Sequence, residues 1–299
     1  MLTPNDLKRT DPPLQDPTIA STLRERIMGF RNTQLIAVAA KLNVAEYLIG
    51  GSKSAKQLSN LLHVDERSLY RLLRALSSLG IFEEKENETF VNTPASELLL
   101  ESKPGSLRSV AILYGEEWIW HAYGELLYSI ENGTQAFERV HGIPLYKYLQ
   151  HNRDAATVFN NAMTAYSGIE ADAIVNAYDF SPATMIVDVG GGEGRLVSAL
   201  VSVNPGLSGV VFDLPAVKNG EPDSNDGNLR IKYVYGDFFE GVPTGGDIYI
   251  LKSVLHNWDD ASCIKILQNC RAVMKGNSRL VVIERIVSSG NEKSEAKLF

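Results

Sequence analysis

The run Val187-Asp188-Val189-Gly190-Gly191-Gly192-Glu193-Gly194 limits the fold more than any other part of this chain. A short β-branched stretch enters a cluster of glycines and continues into GRLVSALVSVNP, an amphipathic helical pattern closed by Pro205. Glycines at a strand-to-helix junction let the backbone turn tightly and let a ligand approach closely. The same alternation continues to the C-terminus. LSGVVFDLP, IKYVYGDFFE, GDIYILKSVLHNW and SRLVVIERIV read as further strands. The polar loop EPDSNDGN and the helix DDASCIKILQNCRAVMK, capped by Asp259 or Asp260, lie between them. Strands alternating with helices predict an α/β fold with a doubly wound parallel sheet.

Before residue 180 the apolar spacing is mostly helical. A helix is predicted over 21–48, with Leu23, Ile27, Phe30, Leu35, Val38 and Leu42 at three- and four-residue steps and Gly50-Gly51 as its stop. Ser54 caps SAKQLSNLL, a turn at 63–65 leads into ERSLYRLLRALSSLG, and IFEEKENETFVN reads as a hairpin around 86–88. Helix, turn, helix and hairpin predict a winged helix-turn-helix. Helices are also predicted over 106–130 and 154–178, with ENGTQAFERVHGIP as a loop between them. The resulting domain plan is a loose N-terminus over 1–17, a winged-helix-like domain over 18–105, linking and substrate-lining helices over 106–180, and a catalytic domain over 181–299.

Composition removes several classes. The net charge of −7 disfavours a broad nucleic-acid surface. The N-terminus has no signal-like apolar stretch, and no window approaches the roughly 18 apolar residues of a membrane span. A cytoplasmic protein is expected, with no membrane partner. Two cysteines, Cys263 and Cys270, are too few for a disulfide framework or a zinc cluster, so no metal is expected.

The glycine loop alone does not choose among dinucleotide, phosphate and adenosylmethionine sites. Three acids narrow the choice. Asp213 ends the strand in VVFDLP, where a carboxylate accepts both hydroxyls of a ribose. Asp237 and Phe238 end the next strand, where an acid beside an aromatic ring suits adenine. Asp188 precedes the glycines and offers a carboxylate to a ligand ammonium; a bare helix N-terminus would suit a pyrophosphate instead. Adenosylmethionine carries an amino group and a sulfonium and no phosphate, so acids suit it. Lys252 is a charge inside an apolar run and needs a partner. Either the carboxylate of adenosylmethionine or a structural acid would serve. His256 falls just past a strand end, where ligands meet such sheets.

VDVGGGEG, FDLP, GDFF and LKSVLHNWDD, in this order and spacing, resemble the class I S-adenosylmethionine-dependent small-molecule O-methyltransferases of the caffeate and hydroxyindole type. The resemblance covers the chain from about residue 20. It implies a helical, winged-helix-like dimerisation domain, hence a homodimer, ahead of a Rossmann-like catalytic domain. S-adenosylmethionine is the implied cofactor and S-adenosylhomocysteine its product. The implied cofactor-binding residues are Asp188, Gly190, Gly192, Asp213, Asp237, Phe238, Lys252 and Ser167. FNNAMTAYS resembles the family's substrate-lining helix. It implies a hydroxylated small-molecule substrate held by Phe159, Met163, Trp118 and Asn257. Phe159 and Met163 lie four apart on one helix face, a spacing that by itself is more often core.

The histidine of the family's H-x-W motif is the general base, which implies His256, held by an acid matching Glu284. Glu284 also interrupts an apolar strand; an inward acid paired with Arg285 or Lys252 is the alternative. Transfer of a proton from a phenol near pKa 10 to a histidine near 6.5 is uphill by about 5 kcal/mol. The sulfonium charge reduces that cost, and positioning supplies much of the rest. Aliphatic alcohols are far harder to deprotonate, so a phenolic or enolic hydroxyl is expected.

Family members continue past the point where this sequence stops, adding a second active-site acid and a final antiparallel strand pair. Without them SRLVVIERIV is expected to be an uncovered edge, and methyl transfer is expected to be reduced or lost while cofactor binding survives in part. Three other readings compete. One is a non-methylating reaction on the same scaffold. A second is a nicotinamide oxidoreductase, which GDFF and LHNWDD do not favour. The third is a winged-helix DNA-binding regulator using Arg67, Arg71 and Arg74, against which Glu83, Glu84, Glu86 and Glu88 in the wing would repel phosphate.

Overall fold

The computed structural model describes residues 17–215 and 230–291, together with 294 and 297. The expected loose N-terminus (apart from residue 17) and the polar loop at 221–228 lie outside the described residues. The chain forms two compact units that divide between Leu100 and Glu101.

The first unit opens with α1 (Pro17–Ile27), α2 (Gly29–Lys41) and α3 (Val44–Tyr47), where the spacing predicts one helix. Two residues account for the breaks. Gly29 opens α2 and is a poor helix-interior residue. Asn43 stands in the left-handed region at φ 55°, which ends a right-handed helix. Leu23, Ile27, Phe30 and Val38 of the expected stripe are exposed; Ala37, Ala39 and Ala40 are the buried positions of α2, and Val44, Ala45 and Leu48 are buried after it.

The helix-turn-helix and hairpin follow as read: β1 (Lys53–Ser54), α4 (Ala55–Leu62), α5 (Glu66–Ser78), β2 (Phe82–Lys85), β3 (Thr89–Asn92) and α6 (Pro94–Glu97). Ser54 and Gln57 form a reciprocal capping box at the start of α4. The sheet order is β1-β3-β2. Two-residue β1 is too short to show alternation in sequence. The wing acids meet α5 directly: Glu84 accepts from the Tyr70 hydroxyl at 3.1 Å and lies 3.9 Å from Arg74.

The second unit begins with a helical layer of α7 (Arg108–Tyr114), α8 (Glu117–Gly124), α9 (Leu126–Asn132), α10 (Ala136–His141), α11 (Leu145–His151) and α12 (Arg153–Ala177). The helix expected over 106–130 is broken near Gly115 and Gly124. The expected loop over 131–144 contains α10. These helices bury Leu113, Trp118, Leu149, Ala155, Ala156 and Ala162.

The alternating part gives β4 (Met185–Val189), α13 (Arg195–Val203), β5 (Ser208–Asp213), β6 (Ile231–Tyr235), β7 (Ile248–Lys252), α14 (Asp260–Val273) and β8 (Arg279–Ile283). The strands pair in parallel in the order β6-β5-β4-β7-β8. Successive β4 residues serve opposite faces, as strand geometry requires. Ile186 packs with Val197, Leu200, Val211 and Ile250, while Val187 packs with Val210, Tyr249, Leu251 and Ile266. Cys270 is buried in this second core and Cys263 is a half-buried free thiol. Among the described residues β6 and β8 are the two edges of the sheet, and Val282 on β8 is exposed. No helix of the described residues is long and apolar enough to cross a membrane.

The order reverses around β4: the chain passes to β5 and β6 on one side and returns to β7 and β8 on the other. Such a switch opens a crevice at the C-terminal strand ends. Gly209 of β5 sets how closely α13 approaches the sheet, because a Cβ there would overlap Val197 Cγ1 and press Ile186. Gly209→Ala is therefore expected to destabilise the second unit by about 1–3 kcal/mol through overpacking, read as a lower urea midpoint.

Candidate active site

The glycine loop is shaped by its neighbours. Gly190, Gly192 and Gly194 have φ of 78°, 58° and 79°, in the left-handed region that side chains avoid. A Cβ on Gly190 would lie 2.7 Å from Val254 Cγ2, and one on Gly194 would lie 2.8 Å from Val211 Cγ2. The Gly190 and Gly191 amides both donate to the Phe212 carbonyl, at 2.8 and 3.3 Å, which ties the loop to β5.

Asp213 accepts from the Gly192 amide at 2.8 Å and from the Leu214 amide at 2.7 Å, one on each oxygen. Burial raises its pKa, and the two amides act against that rise. Asp188 is almost wholly buried, and its Oδ1 has no hydrogen-bond partner. Burial pushes its carboxyl up to about 7; nearby Lys252 opposes the rise and Asp213 adds to it. Asp237 accepts from the Phe239 amide at 2.8 Å.

Lys252 has a partner that its sequence context did not single out. Its ammonium lies 2.6 Å from Glu170 and 3.4 Å from the Ser167 hydroxyl, both on α12. The other Glu170 oxygen lies 3.4 Å from Arg285. A third α12 residue, Thr164, donates to Glu193 of the glycine loop at 3.0 Å. The only sequence signal for Glu170 is its position three residues past Ser167 on the same helix.

His256 stands on a single 3-10 turn, Leu255–Asn257, directly after β7. Its Nδ1 lies 2.6 Å from one oxygen of Glu284, and the other oxygen accepts from the Leu255 amide at 2.9 Å. One carboxylate therefore fixes both the ring and the backbone that carries it. Glu284 makes neither of the alternative pairings with Arg285 or Lys252 among the described contacts. The Asn257 amide donates to the Ser253 and Val254 carbonyls at 3.2 and 3.3 Å, so its nitrogen holds the turn.

Aromatic rings link the two sides of the crevice. Trp258 meets Phe239 and Phe238 edge-on, with centroids at 4.7 and 5.9 Å, and stacks on Tyr146 at 5.9 Å. Tyr146 in turn meets Phe159 edge-on at 6.4 Å. Tyr146 lies at the start of α11, outside every motif, and went unrecognised in sequence. Burial and then the charge of Asp213 push its hydroxyl up to about 12, so it stays a donor. Met163 is partly exposed one turn beyond Phe159. Trp118 sits deeper in the helical layer against Phe137 and Tyr148, with its indole N–H buried and unpaired. Trp118 makes no described ring contact with Tyr146, Phe159 or Trp258.

The donor set fits an adenosine ligand that carries an ammonium and no phosphate. A buried carboxyl with an unpaired oxygen, a cradle with no room for a Cβ at Gly190 or Gly194, and acids at the ends of β5 and β6 meet in one crevice.

Comparison with known proteins agrees. Residues 123–299 match the O-methyltransferase domain, and residues 25–102 match the O-methyltransferase dimerisation domain. The chain is 37% identical over 278 residues to the phenazine O-methyltransferase PhzM of Lysobacter antibioticus, covering 92% of this chain and 81% of that protein. The solved structure of the mitomycin 7-O-methyltransferase MmcR superposes with a TM-score of 0.84 at 32% identity, covering 94% of this chain and 84% of that one. CalO1, a methyltransferase of calicheamicin biosynthesis solved in its S-adenosylhomocysteine-bound form, superposes with a TM-score of 0.78 at 28% identity, covering 95% and 85%.

The chain belongs to the O-methyltransferase family. It is an S-adenosylmethionine-dependent enzyme that methylates a hydroxyl of a small molecule.

The state of Asp188 gives a test without any ligand. Its pKa rises from 3.8 to about 7 on folding. Between those values the folded chain keeps a proton that the unfolded chain has released. Stability from this group therefore declines as pH rises through that window and levels off above it. Asp188→Asn removes the decline. The melting temperature of the variant relative to the parent, measured without cofactor, is expected to rise from pH 4 to pH 7; a flat difference contradicts the assignment.

Proposed function

We propose that the acceptor is a phenolic or enolic hydroxyl on a small, mainly apolar, aromatic molecule, that His256 is its general base, and that Glu284 orients the base. The contact between His256 Nδ1 and Glu284 carries this reading. An ionised carboxylate only accepts hydrogen bonds, so Nδ1 carries the proton and Nε2 is left with the lone pair. Nε2 then takes the hydroxyl proton, and Glu284 stabilises the imidazolium that forms. A ring nitrogen attacks with its own lone pair and has no such proton to lose. A base held this firmly therefore favours oxygen.

When bound, S-adenosylmethionine supplies a methyl group on a sulfonium. In this reading Gly190 and Gly192 admit the cofactor, Asp213 takes the ribose, and Asp237 with Phe238 takes the adenine. Asp188 faces the ammonium. Lys252 and Ser167 take the carboxylate, with Glu170 sharing the Lys252 ammonium. Phe159, Met163 and Tyr146 line the acceptor side. Trp118 supports them from behind, and Asn257 keeps the catalytic turn in shape. The first unit pairs two copies into a homodimer. The match to the dimerisation domain and the exposed Leu23, Ile27, Phe30 and Val38 support this.

His256→Asn is expected to lower kcat by about 10²–10⁴-fold with a phenolic acceptor. Affinity for S-adenosylhomocysteine should stay within about twofold, as expected when an interaction of the chemical step alone is lost. Glu284→Gln should lower kcat in the same direction. Steady-state kinetics with calorimetry on both variants makes the check, and a His256→Asn enzyme with near-parent kcat rules out the assignment.

A further inference from the structure

Asn269 lies on α14, outside every sequence motif and away from the His256 turn. Its Nδ2 donates to two consecutive carbonyls of the loop after β6, Phe238 at 2.7 Å and Phe239 at 2.9 Å. This loop carries Asp237 and Phe238. We propose that Asn269 is a positioning residue for recognition of the adenine base: it fixes the two peptide planes that aim the Asp237 carboxylate and the Phe238 ring.

The loop is short and bends sharply. The Glu240 and Gly241 amides fold back on the Asp237 carbonyl at 3.0 and 3.1 Å. The bend turns the Phe238 and Phe239 carbonyls toward α14. A side chain there needs two donors on one atom to reach both. Asparagine has them; aspartate has none, leucine has none, and serine has one.

On the other side of the loop, the Phe239 amide occupies Asp237 Oδ1 at 2.8 Å. Oδ2 is then the oxygen that meets a ligand donor, and its direction follows from the peptide planes that Asn269 holds. Phe238 is fixed in the same way. Its ring lies edge-on to Trp258 and is 3.9 Å from a Cβ built on Gly190, so it borders the glycine loop. Asn269 therefore acts through backbone geometry and touches no ligand itself.

The inference rests on the reading that Asp237 meets the exocyclic amine of adenine, and the test separates the two. Dissociation constants of the full chain are measured by calorimetry for S-adenosylhomocysteine and for S-inosylhomocysteine, in which a carbonyl replaces that amine. The parent protein is expected to prefer the adenosyl ligand. Asn269→Leu and Asn269→Ser should weaken the adenosyl ligand about tenfold, the scale of one or two lost hydrogen bonds, and the inosyl ligand by clearly less, through the Phe238 packing alone. The preference then collapses. Serine adds no bulk, so it carries the test if the leucine variant does not fold. Equal weakening of both ligands, or an unchanged preference, overturns the positioning role. Asp237→Asn, which can donate to a carbonyl, should shift preference toward the inosyl ligand. If the parent shows no preference, or Asp237→Asn keeps it, the Asp237 reading fails and the inference falls with it. If Asp237→Asn loses the preference while both Asn269 variants keep it, the inference alone fails.

Discussion

Strand β4 is paired on both sides, with β5 through Met185–Val189 and with β7 through Ile186–Asp188, and both of its faces are buried. That double pairing sets where the chemistry stands. The C-terminal ends of β4, β5, β6 and β7 present the glycine loop, Asp213, Asp237 and Lys252 to one crevice, and the His256 turn follows β7 directly. Reversal of strand order at β4 is what leaves the crevice open. Closely packed cores on both faces hold these ends in register, so the site inherits the rigidity of the sheet.

Charge is arranged around that crevice in an uneven way. Asp188, Asp213, Asp237, Glu170 and Glu193 stand around it, and Glu170 pairs with both Lys252 and Arg285. Such a site suits a ligand that brings positive charge on a sulfonium and an ammonium, and it repels phosphate. Asp188 is the sharpest element, because burial raises its pKa to about 7 and one of its oxygens has no partner. Leaving a buried polar atom unpaired costs stability. A ligand ammonium placed there would relieve that cost.

The alternating half was legible in sequence because its signals are local. β-Branched runs, glycines at a strand-to-helix junction, and acids at successive strand ends each depend on a few neighbouring residues. His256 and Glu284 were readable from the family resemblance, one by its place after a strand and the other as an acid in an apolar run; Glu284 lies just past the end of β8. What escaped detection depends on distant pairing. Glu170 meets Lys252, Tyr146 stacks on Trp258, and Asn269 pins Phe238 only once helices and loops are packed. The first unit shows the opposite failure. Leu23, Ile27, Phe30 and Val38 have helical spacing, yet Gly29 and Asn43 break the helix and these side chains remain exposed. Periodicity reports an apolar face and does not say what covers it.

The most direct measurement follows the methyl group itself. The full chain is incubated with S-adenosylmethionine labelled in its methyl carbon and a panel of small phenols, each paired with its aniline analogue, and the products are located by mass spectrometry. Label is expected on oxygen of at least one phenol, as an aryl methyl ether, with the matching aniline labelled far less. Preferred labelling of nitrogen, with the matching hydroxyl left unlabelled, would contradict the account.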